Sequence, residues 1–162
     1  MIKMLLLLII SGLGLIPSSS SQSLSQGVAK LSLALSANLE KGSKKNFVWS
    51  PFSAHSAFSQ VLLGSSDSTR TQLENALGIS SEETINYQRL QSSLKQGQST
   101  LKVGNLMAIA AGFKPKPEYS QQIQSRFGSE ILELDFATNK AGSVEKMNTY
   151  IADLTLKVTL IK

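Results

Sequence analysis

The residues best suited to chemistry crowd into one stretch. His55, the sole histidine, lies between Ala54 and Ser56, with Ser53 and Ser59 close by. Serine–histidine catalysis needs an imidazole oriented by a carboxylate, with a hydroxyl in its reach. No Asp or Glu occurs from Ser50 to Ser66, and adjacent residues on a helix point in different directions. The stretch therefore predicts a buried, hydrogen-bonded structural histidine. Glu133 and Asp135 would share one face of a strand, about 7 Å apart. That alternation is the ordinary solvent face of a strand and does not mark the paired acids of a hydrolase. One histidine with dispersed carboxylates makes no metal site. The absence of cysteine removes thiol catalysis, Cys-based zinc and redox chemistry. Outside Gly12 and Gly14 the glycines are isolated, so no phosphate loop is present. No enzyme, no catalytic residue, no metal and no cofactor are expected.

The elements that carry these residues can be read from periodicity. Leu24, Val28, Leu31, Leu35 and Leu39 form one stripe of an amphipathic helix that runs to about Lys41 and is ended by Gly42. Asn46 to Trp49 leans to β structure. Ser50-Pro51 then opens a helix to Leu63, with Ser as N-cap and Pro at its first position. That helix has no charged residue, which predicts burial on all sides, and its small serines predict close approach of other backbone. Ser66 to Ile79 reads as a helix with Leu73, Ala76 and Leu77 inward and Gly78 as its stop. Glu82 to Gln96 reads as a weaker helix on Ile85, Leu90 and Leu94. Leu101 to Phe113 reads as a mostly buried strand, Glu118 to Phe127 as a helix, and Ile131 to Phe136 as a strand with one wet face. Strand, helix, strand implies a parallel pair joined by a crossover. Lys140 to Leu154 closes the pattern as a helix with Val144, Met147, Ile151 and Leu154 on one face, and Thr155 to Lys162 leans to β structure. Six helices against three short strands is an unbalanced α+β set.

The start of the chain predicts its compartment. Lys3, the apolar run Met4 to Ile10, Pro17 and the serines Ser18 to Ser21 have the layout of a secretory signal peptide, placed at residues 1–21. Residues 22–162 are then one domain of about 140 residues, secreted, extracellular and soluble. The apolar run is too short for a span of about 20 residues, so no membrane association is expected. The net charge is +5, with the basic residues scattered and densest in the loop Lys41 to Lys45. Nucleic-acid binding needs clustering on one face, so none is expected.

The run Asn46-Phe47-Val48-Trp49-Ser50-Pro51-Phe52-Ser53 continues through Ala57-Phe58 and Leu62-Leu63-Gly64 to Thr69-Arg70-Thr71-Gln72-Leu73. In that order it closely resembles the N-terminal signature of the serpin family. Asn105-Leu106 and Gly112 to Tyr119 look like the second strand of the serpin A-sheet and the helix after it. Ile131 to Phe136 looks like the next strand, and Lys146 to Ile151 like the helix bearing Ile-Asn-x-Trp-Val, with Tyr150 where Trp is usual. The resemblance covers Leu24 to about Thr155 and implies an incomplete serpin fold, with a few A-sheet strands and one B-sheet strand.

That resemblance carries further implications. The family inhibits serine proteases: a reactive loop is cleaved, inserts into the A-sheet and drags the protease along as a trapped acyl-enzyme. Ser50, Ser53, Ser56 and Asn148 match the region under the sheet that lets it open. The family continues after the threonine matched by Thr155 with Asn-Gly-Lys-Ile, whereas here Leu156 follows. The reactive loop has no counterpart. A serine protease is thus the partner expected for the full-length fold, and residues 22–162 are expected not to inhibit alone. The other reading is a secreted, non-inhibitory binding module that pairs through an exposed sheet edge.

Overall fold

The computed structural model describes residues 20–39, 48–96 and 103–154. Residues 1–19, which hold most of the expected leader, the expected loop Lys41 to Lys45, residues 46–47, residues 101–102 and the tail 155–162 lie outside the described residues. Helix α1 spans Ser20–Leu39, α2 Pro51–Gly64, α3 Asp67–Leu77, α4 Ile85–Gln96, α5 Pro117–Phe127 and α6 Lys140–Leu154. A 3₁₀ turn, Glu82–Thr84, leads into α4, and strands β1 (Leu106–Ala110) and β2 (Glu130–Leu134) flank α5. The strands pair in parallel from Leu106↔Glu130 to Ala110↔Leu134, as the strand–helix–strand order predicts.

Local chemistry accounts for the helix ends. Ser50 is the N-cap of α2, its Oγ accepting the Ser53 N–H at 3.2 Å, with Pro51 at the first helical position. Gly78 and Gly128, at φ 67° and 59°, terminate α3 and α5 in the left-handed conformation. Asn139 opens α6 by accepting the Gly142 N–H at 3.0 Å on its side chain. Asp135 orders the preceding turn by accepting N–H bonds from Ala137 and Thr138. Those bonds, led by the Thr138 hydroxyl, hold its carboxyl below the usual range.

One core joins Leu24 and Leu31 of α1, Leu62 of α2, Leu77 of α3, Ile79, Tyr87 of α4, and Ile123 and Phe127 of α5. Tyr87 sits at its centre, 4.6 Å from the Phe127 ring and 5.7 Å from Phe52 by centroids. The α1 stripe is confirmed from Leu24 to Leu35, with Val28 and Leu35 packed against this core.

Four expectations need correction. Helix α2 is not buried all round: Ser53, Ala57, Phe58 and Val61 are exposed, Phe58 by 46% and Val61 by 51%. Its uncharged outer face has no cover among the described residues, since α1, α3 and α5 occupy the opposite side. Strand β1 is shorter than Leu101 to Phe113 and only half-buried. Gly112 at φ 84° turns the chain, and the Phe113 N–H closes that turn on the Ala110 carbonyl. The β-leaning Val48 and Trp49 form no strand, and Val48 is fully exposed. Ala76 and Val144, expected inward, face outward. The buried residue of α6 is Ser143, whose hydroxyl donates to the Asp135 carbonyl at 2.9 Å.

Candidate functional site

Helix α2 carries two adjoining polar clusters, and their separation follows from its 3.6-residue period. The first surrounds His55, which is fully buried. Its Nε2 lies 2.9 Å from the Leu77 carbonyl, which can only accept, so Nε2 carries the proton. Nδ1 is then the acceptor, 2.5 Å from the Tyr87 hydroxyl and 3.3 Å from Ser59 Oγ. Burial lowers the His55 pKa, partly opposed by the Leu77 carbonyl, and raises that of Tyr87. The ring is neutral and its nitrogens are satisfied.

The helix does bring a serine to this histidine, through the i, i+4 spacing of His55 and Ser59. The pair still makes no nucleophile. Both residues are fully buried, and the ring is oriented by a backbone carbonyl where a triad needs a carboxylate. Among the described residues no group of three His, Cys, Asp or Glu could hold a metal ion.

The second cluster pins the sheet to α2. Ser56 Oγ donates to Asn105 Oδ1 at 3.2 Å, and Asn105 Nδ2 donates to the Phe127 carbonyl at 2.9 Å. The Asn105 carbonyl accepts from the Glu130 N–H at 3.1 Å and the Tyr150 hydroxyl at 2.9 Å. Asn105 thereby ties α2, the end of α5, the start of β2 and α6 to the entry of β1. Gln60 extends the seam: its Oε1 accepts from Ser129 at 2.7 Å, and its carbonyl from Tyr119 at 3.1 Å. No buried side-chain N or O among the described residues lacks a partner.

The four residues singled out from the sequence do not form one group. Ser50 and Ser53 bond each other at 3.0 Å on the rim of a cleft that also contains Tyr150. Ser56 lies deeper, on Asn105. Asn148 lies on another face of α6, in a shallow depression formed by that helix with Lys140, Val144 and Ala152. Tyr150, two residues on, is the α6 side chain that reaches the cluster. Asn105, Gln60 and Ser129 were not predicted as site residues. The signal for Gln60 was available: a lone amide on a charge-free helix needs a partner if buried.

The comparisons with known proteins agree with this geometry. A family model described as "Serpin (serine protease inhibitor)" matches residues 26–159. The chain belongs to the serpin family. Iripin-8 of Ixodes ricinus is 29% identical over 133 residues, covering 77% of this chain and 33% of that protein. Mouse plasma protease C1 inhibitor is 30% identical over 135 residues, covering 83% of this chain and 25% of that protein. Among solved structures, the reaction-loop-cleaved lamprey angiotensinogen superposes with a TM-score of 0.72 at 27% identity, covering 86% of this chain and 42% of that one. This serpin chain therefore spans between a quarter and a third of the length of these curated relatives. Its helices and parallel strand pair are a partial serpin fold, and the Asn105 seam is where that fold joins sheet to helix.

Proposed function

We propose that the protein to which these residues belong is a secreted inhibitor of a serine protease, acting by the loop-trapping route, and that it performs no catalysis of its own. The observation that carries this reading is the serpin match over residues 26–159, on a fold whose α2 and sheet are joined by the Ser56–Asn105 seam. The leader-like residues 1–21 support export, and one relative is named as a plasma protease inhibitor. The described residues supply helices and two strands, with no cleavable loop and no third strand among them. On this reading the 162-residue chain alone does not trap a protease. The test is to express the whole protein, follow its export, and incubate it with trypsin-, chymotrypsin- and elastase-like enzymes. A detergent-resistant complex with stoichiometric loss of activity supports the reading. Reversible inhibition, or none, with every enzyme overturns it.

A second reading rests on one specific feature. The Asn105 carbonyl and the Ala111 N–H point toward β2, so Leu106, Ala108 and Ala110 present their N–H groups to the opposite edge of β1. That edge has no strand partner among the described residues. A secreted module that takes an extended segment there is the alternative. Concentration-independent monomers that bind no extended peptide would eliminate it.

A further inference from the structure

The free edge of β1 is complementary to itself. Its residues read Leu-Met-Ala-Ile-Ala, with neither a charge nor a proline to deter pairing. The Asn105 carbonyl and the Ala111 N–H are bonded to β2, so the outward backbone groups belong to Leu106, Ala108 and Ala110. Ala108 is the midpoint of that set. When two copies of β1 lie antiparallel about Ala108, each Ala108 exchanges both of its backbone bonds with the other. Each Ala110 N–H then donates to the Leu106 carbonyl of the other copy. The Ala110 carbonyl already accepts the Phe113 N–H, and Gly112 at φ 84° turns the chain, so the ladder ends there. Ala108 and Ala110 are exposed and small, and leave the edge open to a second backbone.

A second observation concerns what lies beneath that edge. Val61, 51% exposed on the uncharged face of α2, lines one cleft with Met107 and Ile109 of β1. We propose, resting on the edge-pairing reading, that the occupant of the edge is β1 of a second copy of this chain, giving a two-fold dimer with a continuous four-stranded sheet. An axis normal to the sheet at Ala108 keeps α2 of both copies on one side of it, where Phe58 and Val61 are buried. Parallel, in-register pairing would put the two α2 helices on opposite sides and leave those residues wet. A ladder of five residues falls short of the roughly 1,200 Å² that stable association buries, and the α2 faces supply the remainder. The two-fold arrangement is closed, because each contact is returned by its mate and no free β1 edge is left.

Sedimentation equilibrium of the 162-residue chain is expected to show monomer and dimer and nothing larger. Ala108→Lys and Ala108→Glu, each alone, are expected to weaken the dimer about tenfold or more, because like charges then stand opposite each other. Ala108 is exposed, so both variants should keep the monomer's melting temperature. An equimolar mixture of the two is expected to restore association. The register is read by crosslinking, since the chain has no cysteine of its own. Across a hydrogen-bonded antiparallel pair the Cα atoms stand about 5.5 Å apart, a span that a disulfide bridges. Ala108→Cys is therefore expected to form a disulfide dimer on mild oxidation. Ala110→Cys, which faces Leu106 of the other copy, is expected not to. Monomer at every concentration, open-ended assembly, equal crosslinking at the two positions, or no recovery in the mixture each overturn the proposal. A monomer that still binds an extended peptide overturns the dimer alone and leaves the edge-pairing reading standing, whereas one that binds none removes both.

Discussion

Gly27 of α1 packs directly against the imidazole of His55 on α2: a Cβ at Gly27 would stand 2.9 Å from Nε2 and still closer to the Leu77 carbonyl. Gly→Ala inside a helix ordinarily stabilises by about 0.5–1 kcal/mol. Here the added methyl group meets a ring and a backbone oxygen already bonded to each other, and neither can retreat without breaking that bond. Gly27→Ala is therefore expected to destabilise by about 1–3 kcal/mol. A urea denaturation midpoint that rises would contradict the packing.

The same ring predicts a pH dependence. Folding lowers the His55 pKa from its usual value of about 6.5. The neutral ring's contribution is fully present above about pH 6.5 and is lost as pH falls through the folded value, because the unfolded chain binds the proton first. Stability should fall between pH 7 and 5 by up to about 1.4 kcal/mol per unit. The carboxyls of Glu82, Glu83 and Asp135, all held low, act only at lower pH. His55→Asn should flatten the slope between pH 7 and 5. An equal slope in the variant would remove His55 as its source.

Asn105 and Asn148 offer a contrast within one residue type. Asn105→Ala leaves the Phe127 carbonyl and the Ser56 hydroxyl without their partner, and is expected to cost about 1–3 kcal/mol. Tyr150→Phe, removing one bond to the Asn105 carbonyl, should cost about 1 kcal/mol. Asn148→Ala lies in a shallow depression and should stay within about 0.5 kcal/mol. Chemical denaturation of the three variants checks the order, and a dominant effect of Asn148 would reverse the assignment.

The outer face of α2 yields a prediction about association. Phe58, 46% exposed, should tolerate Phe58→Ser at a cost below about 1 kcal/mol, whereas Phe127→Ala in the core should cost about 3–5 kcal/mol. Light scattering should show that Phe58→Ser suppresses concentration-dependent association of this chain. Unchanged association would place the adhesive surface elsewhere.

The helices were legible because their signals are local. Ser50-Pro51 and Gly78 act within a few residues of the ends they set, and the Leu24–Leu31 stripe needs only one helix to be seen. The buried histidine was legible because a charge-free helix gives an imidazole nothing charged to face. The exposure of Phe58 and Val144 was not, because sequence periodicity identifies an apolar face without saying whether anything lies against it. The aliphatic spacing of α4 does not mark Tyr87, yet its ring joins Phe52 to Phe127 while its hydroxyl meets His55. The family pattern brought Asn148 forward, but the choice between it and Tyr150 depends on how α6 is rotated against β1. Asn105 likewise connects elements far apart in sequence, and no spacing rule reveals such a hub.

The most direct test of the central claim uses the 162-residue chain by itself. Purified chain is mixed with trypsin-, chymotrypsin- and elastase-like proteases, residual activity is recorded, and the mixtures are run on denaturing gels. The account predicts undiminished protease activity and no band heavier than the protease. A detergent-stable complex with stoichiometric loss of activity would contradict it, because the described residues supply two strands and no cleavable loop.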